Sequence, residues 1–162
     1  MVSSRALIAS LGLLALALCA CASKSPTERV ETRTQLAAGT DLNPDGSARP
    51  SPVVVRIYQL RGDTEFLNCD FFAVYSNEKS ALGANLVTRD EFVVNPGERR
   101  EVRIGLSNEA RYVGAIAAFR DLSGAHWRAL QLRPRRTFSS GFARVTVIIN
   151  LEHDSLTLAL KK

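Results

Sequence analysis

Val53-Val54-Val55-Arg56-Ile57-Tyr58-Gln59-Leu60 places apolar, mostly β-branched side chains on both faces of an extended chain. Val53, Val55 and Ile57 point one way, and Val54, Tyr58 and Leu60 the other, as the period of two in a strand requires. A strand with little polar surface on either face is covered on both sides, so the stretch predicts a central strand. Working outward, Val30 to Ala38 has the faintest strand pattern, and Phe92 to Val94 leads into Asn95-Pro96-Gly97-Glu98. There Pro presets φ and Gly accepts positive φ, and a hairpin is expected. Arg100 to Leu106 alternates cleanly, with Val102, Ile104 and Leu106 on one face.

Tyr112 to Arg120 and His126 to Leu132 are short enough to form a meander around Asp121-Leu122-Ser123-Gly124. Val145, Val147, Ile149 and Leu151 alternate with Thr146, Ile148 and Asn150, and beyond His153-Asp154 the leucines 156, 158 and 160 alternate again, which predicts a closing hairpin. Between Asp63 and Leu86 the pattern changes, because Leu67, Phe71, Val74 and Tyr75 recur at helical spacing. The chain is therefore expected to be all-β, a two-sheet sandwich of about eight strands, with a short helical insertion over 63–86 capping one edge or end. Phe66, Phe71, Phe72 and Tyr75 read as the core of that insertion, or as a second docking surface if exposed.

At the N-terminus Arg5 precedes an apolar run, Leu7 to Ala20, which ends in Leu18-Cys19-Ala20-Cys21. Charge, apolar run and small residue follow the order of a secretory signal. Ser10 and Gly12 interrupt the run and Ser23-Lys24-Ser25-Pro26 follows it, so it is short for a membrane span, which needs about 20 apolar residues. The Leu-x-Ala-Cys string resembles the lipobox of bacterial lipoproteins, in which the cysteine is acylated and the chain is cut before it. Cys19 competes, but bulky Leu18 stands before it and Ala20 before Cys21, so Cys21 is the better lipidation site. An ordinary secretory signal, or a core cysteine in an N-terminal helix, is the alternative. Ala22, rather than an acidic residue, points to the outer membrane by the same resemblance. The expected organisation is a signal over 1–20, a lipidated tether over 21–29 and one domain over 30–162.

Removing the first 20 of 162 residues leaves 142, enough for one domain with a genuine core. Net charge falls from +5 to +4 with the loss of Arg5, both signs are interspersed, and no block of like charge argues for nucleic acid. With Cys21 lipidated, Cys69 has no partner in the mature chain, so packing must hold the fold without disulfides. His126 and His153 are the only histidines and lack metal or nucleophile spacing around them. No catalytic residue, metal ligand or cofactor is expected beyond the covalent lipid on Cys21. Asp63-x-Glu65 and Asp90-Glu91 read as element ends, and Arg133, Arg135 and Arg136 as a solvated loop or a patch for an acidic partner or anionic headgroups.

Asn43-Pro44-Asp45, Arg49-Pro50-Ser51-Pro52 with the strand after it, Asp70-Phe71-Phe72-Ala73-Val74-Tyr75 and Phe92-Val93-Val94-Asn95-Pro96-Gly97-Glu98 together resemble the TssJ (VasD) family of type VI secretion lipoproteins. The resemblance runs from about Leu36 to Leu160. It implies a transthyretin-like β-sandwich in the periplasm, held to the inner leaflet of the outer membrane by acyl chains. It further implies binding to the periplasmic C-terminal region of TssM within a membrane complex that includes TssL. In the family the loop between the first two strands is associated with TssM contact. Here that loop is Gly39 to Pro52, with Asn43, Pro44, Asp45, Gly46, Arg49 and Pro50 as candidate partner-binding residues and Ala48 where many members carry Gly. Its three prolines reduce the entropy lost on binding, or else protect a strand entrance against edge pairing. A periplasmic small-ligand carrier or enzyme sharing the sandwich is the competing reading.

Overall fold

A computed structural model describes residues 29–133 and 145–161. β1 (Arg29–Ala38) and β2 (Val53–Leu60) precede three short helices, α1 (Thr64–Asn68), α2 (Phe71–Ser76) and α3 (Glu78–Leu82), and a 3-10 turn at Gly83–Asn85. β3 (Leu86–Val94), β4 (Arg99–Ser107), β5 (Tyr112–Ala117), β6 (Arg128–Leu132), β7 (Thr146–Glu152) and β8 (Ser155–Lys161) follow. They form two four-stranded sheets, in the orders β4-β1-β7-β8 and β3-β2-β5-β6, as the expected sandwich requires. β5 and β6 pair antiparallel as the meander, and β7 and β8 as the closing hairpin.

β2 lies inside its sheet and is apolar on both faces for two reasons. Val53, Val55 and Ile57 are buried between the sheets with Leu36, Val113, Val147 and Ile149. Tyr58 and Leu60 are buried on the opposite side beneath Phe66, Phe71, Val74 and Leu82 of the helical insertion. The insertion thus covers a sheet face instead of capping an edge. Its close approach depends on Gly114 of β5, where a Cβ would stand 2.8 Å from the Phe66 ring. Between the sheets, buried Gln59 donates from Nε2 to the Gly105 carbonyl at 2.8 Å and accepts the Ser107 N–H at 2.8 Å, which ties β2 to β4 across the core.

Several expectations are corrected. The helical stripe is not one helix: Cys69 is extended and the Asp70 carboxylate caps α2 by accepting the Ala73 N–H at 2.9 Å. Leu67 is consequently 46% exposed and Phe66 takes its place in the core, while Phe72 is 67% exposed. The Asn95–Glu98 turn closes no hairpin. β3 pairs with β2 and β4 with β1, so the turn carries the chain from one sheet to the other, and Gly97 (φ +73) donates its N–H to Gly39 instead of to a flanking strand. β3 begins at Leu86 and β6 at Arg128, where exposed His126 forms only an isolated bridge to Ser155. β1, the faintest strand in sequence, is an interior one, antiparallel to β4 and parallel to β7. Its inward positions include Thr32 and Thr34, both buried, which hides the alternation.

Cys69 is free and half-buried, its thiol 3.6 Å from the Phe66 carbonyl, and burial pushes its pKa up. Arg56 fastens the insertion from outside: it donates to the Glu91 carboxylate at 2.7 Å and to the Tyr75 carbonyl, and lies 4.1 Å over the Tyr75 ring. Burial pushes the Tyr58 phenol, bonded to the Val74 carbonyl at 3.2 Å, up to about 12.

Candidate functional site

Three loops meet at one end of the sandwich: residues 39–52 between β1 and β2, residues 118–127 between β5 and β6, and the 153–154 turn between β7 and β8. Residues 43–46, 119–121 and 153–154 wall a cleft of about 410 Å³ between them, open to solvent.

Asn43 joins the three. Its backbone N–H donates to the His153 carbonyl at 2.6 Å, its Nδ2 donates to the Pro52 carbonyl at 2.8 Å, and its Oδ1 accepts the Arg120 N–H at 2.8 Å. The buried Ser51 hydroxyl donates to the Asn43 carbonyl and accepts from Arg120 Nε at 3.0 Å. Asn43 adopts φ +49, a left-handed conformation that Asn tolerates better than other side chains. The tip is a second unit. Asp45 Oδ1 accepts the N–H groups of Ser47 at 2.8 Å and Arg49 at 3.0 Å, while Oδ2 takes Arg49 Nε at 2.8 Å. The Arg49 side chain and then the two backbone donors hold the Asp45 carboxyl below its ordinary value. Ala48 sits at φ +58, in the region that favours glycine.

The candidate residues therefore divide. Asn43 is 4% exposed, and its amide donates to the Pro52 carbonyl and accepts the Arg120 N–H, so it holds the loops together. Pro44, Asp45 and Gly46 line the cleft, and Gly46, Arg49 and Pro50 are exposed at the tip. Arg49, a candidate partner-binding residue, closes the loop on Asp45 with Nη2 at 2.7 Å, and the side chain is 79% exposed. Cys21, Arg135 and Arg136 lie outside the described residues.

Sequence reasoning did not single out Phe119, Arg120, Asp121 or Asp154, which complete the cleft. The abrupt charge pair Arg120-Asp121 after an apolar run was the available signal. Chemically, the cleft offers a fixed set of charges and loop backbone. His153 Nδ1 faces Asp41 Oδ2 at 3.3 Å, both side chains more than half exposed. Among the described residues, no group of three or more His, Cys, Asp or Glu is placed to hold a metal ion.

Residues 30–159 match the family model described as type VI secretion lipoprotein, VasD, EvfM, TssJ. The chain is similar to the crystal structure of the type VI secretion lipoprotein TssJ1 from Pseudomonas aeruginosa, with 32% identity, 83% of this chain and 98% of that one covered, and a TM-score of 0.73. It is also similar to Serratia marcescens Lip, described as a membrane-bound component of the type VI secretion system, with 28% identity, the same coverages of 83% and 98%, and a TM-score of 0.74. A third likeness, in fold alone, is to a chain in the structure described as the TssM C-terminal domain (869–1107) from EAEC, at 23% identity, 80% and 97% coverage and a TM-score of 0.64. No curated protein matches the chain.

Proposed function

Because the chain belongs to the type VI secretion lipoprotein family of VasD, EvfM and TssJ, we propose that it is a non-catalytic anchor that docks the periplasmic C-terminal region of TssM to the outer membrane. In this reading residues 1–20 are removed as a signal, Cys21 carries acyl chains in the inner leaflet, and residues 21–29 tether the periplasmic domain within a complex containing TssL. Family membership supports TssM as the partner, and a chain of the same fold occurs in the EAEC structure described by its TssM C-terminal domain.

The observation that carries the docking surface is the construction of the 39–52 loop. Asn43 and Asp45 hold it by internal hydrogen bonds, so its exposed residues at 46, 49 and 50 are presented with little conformational entropy left to lose. A small-ligand carrier needs an enclosed, largely apolar cavity. The cleft here is open, with Asp45, Arg120, Asp121 and His153 on its walls.

Gly46 gives the test. It is exposed, and a Cβ added there meets nothing within 4 Å. Gly46→Trp should leave thermal unfolding unchanged and weaken binding of the TssM periplasmic region more than about tenfold, equivalent to about 1.4 kcal/mol. Normal binding by a folded Gly46→Trp protein places the interface elsewhere.

A further inference from the structure

β1 begins at the end of the sandwich opposite the cleft. Arg29 pairs with Ser107, the last residue of β4, and the polypeptide that links the domain to Cys21 enters there. The turns at that end are bound to one another. Arg111 donates its N–H to the Leu60 carbonyl at 2.8 Å, Arg133 donates its N–H to the Arg111 carbonyl at 2.8 Å, and the Arg133 guanidinium donates to the Ser107 carbonyl. Arg61 donates its N–H to Asn85 at 2.9 Å and its guanidinium pairs with Glu109. Lys161 closes β8 on the same side, opposite Thr146. Four basic residues, Arg61, Arg111, Arg133 and Lys161, thus share an end with the acidic Asp63, Glu65 and Glu109, and Leu132 stands among them at 62% exposure.

The geometry points to this end as a membrane-apposed surface that takes anionic phospholipid headgroups, with Arg111 and Lys161 on the phosphates and Leu132 in the headgroup layer. The inference rests on acylation of Cys21. Eight residues, Cys21 to Glu28, separate the lipid from β1. Fully extended they span at most about 28 Å, and as a coil about 16 Å. The opposite end lies a further strand length away, about 33 Å for ten residues. Of the two ends, only the one where β1 begins is kept within reach of the bilayer by its own tether. Basic side chains beside an anionic leaflet are attracted over about a Debye length, and an exposed leucine among them adds apolar contact. Standing on this surface, the domain directs its cleft away from the membrane.

The test uses the acylated full chain reconstituted in vesicles of phosphatidylethanolamine, alone or mixed with phosphatidylglycerol. In a Cys69→Ser background, a fluorophore is placed on Leu132→Cys or, at the cleft end, on Ser123→Cys, and quenching by a headgroup nitroxide lipid is read. Position 132 should be quenched at least about threefold more than position 123 in phosphatidylglycerol vesicles. The difference should shrink in high salt and in the Arg111→Glu, Lys161→Glu double variant, whose substituted side chains are exposed. Equal quenching at the two positions, or quenching at 132 that ignores phosphatidylglycerol, salt and the charge reversals, overturns the surface while the anchor stands. Failure of the chain to float with either vesicle overturns the anchor, and the surface with it.

Discussion

Replacing Asn43 by Ala removes the amide that ties the 39–52 loop to the strand after it and to the β5–β6 loop. Two backbone groups lose their partners, the Pro52 carbonyl and the Arg120 N–H, both now bonded at 2.8 Å in a partly buried setting. An unsatisfied buried group costs about 1–3 kcal/mol. Partial burial argues for the lower end, or about 2–3 kcal/mol for the pair. The alanine must also hold φ +49, which adds roughly 1 kcal/mol. The expected loss is therefore about 3 kcal/mol, or a fall in Tm of about 10 °C for a domain of this size. Thermal and urea unfolding of a chain from Ser25 to Lys162 would measure it. Asn43→Gly, which keeps the backbone conformation and loses only the amide, should be less destabilising by about 1 kcal/mol. The reasoning is refuted if Asn43→Ala lowers Tm by less than about 3 °C, or if Asn43→Gly is the worse of the two.

Ala48→Gly should stabilise the loop by up to about 1 kcal/mol by relieving φ +58, read as a rise in urea midpoint. Gly114→Ala should cost about 1–3 kcal/mol, because the added carbon stands 2.8 Å from the Phe66 ring and the helical insertion must move off the sheet; an unchanged midpoint contradicts that packing. The Glu91 carboxyl is held low chiefly by its hydrogen bond to Arg56, and Glu98 by that from the Asn95 N–H. A depressed folded pKa gives stability that is present above the unfolded value and lost as pH falls through the folded one. Stability should thus decline below about pH 4.5, the ordinary value for glutamate, and less steeply in Glu91→Gln. Melting of the 25–162 chain should not respond to reductant, since Cys69 is free.

β2 could be read from sequence because both of its faces pack against something apolar, and apolar residues at consecutive positions announce that directly. β1 could not, since its buried Thr32 and Thr34 look like surface residues until strands from far along the chain cover them. Asn-Pro-Gly-Glu specified a turn but not its partners. Whether the chain returns to the same sheet or crosses to the other depends on Ala38 and Gly39, which bond residues 97 and 98 from a distant part of the sequence. The loop 39–52 was singled out by the family resemblance and its prolines, while the inward role of Asn43 depends on Arg120, 77 positions away. Local chemistry encodes turns and strands; which loops meet at the end of the sandwich is set by strand order.

The position of β1 has a mechanical consequence. Its last residue runs straight into the 39–52 loop, so in the proposed function a pull between an anchor on Cys21 and a partner held at that loop travels along a single strand. That strand is bonded to β4 from Arg29 to Ala37 on one side and to β7 from Arg33 to Ala38 on the other. A load applied at its two ends is borne by the covalent backbone of a strand that is already extended, so it shears neither ladder and leaves the hydrogen bonds to β4 and β7 in place. In the proposed anchoring, tension between the membrane and the cleft is thus carried without passing through the second sheet or the helical insertion.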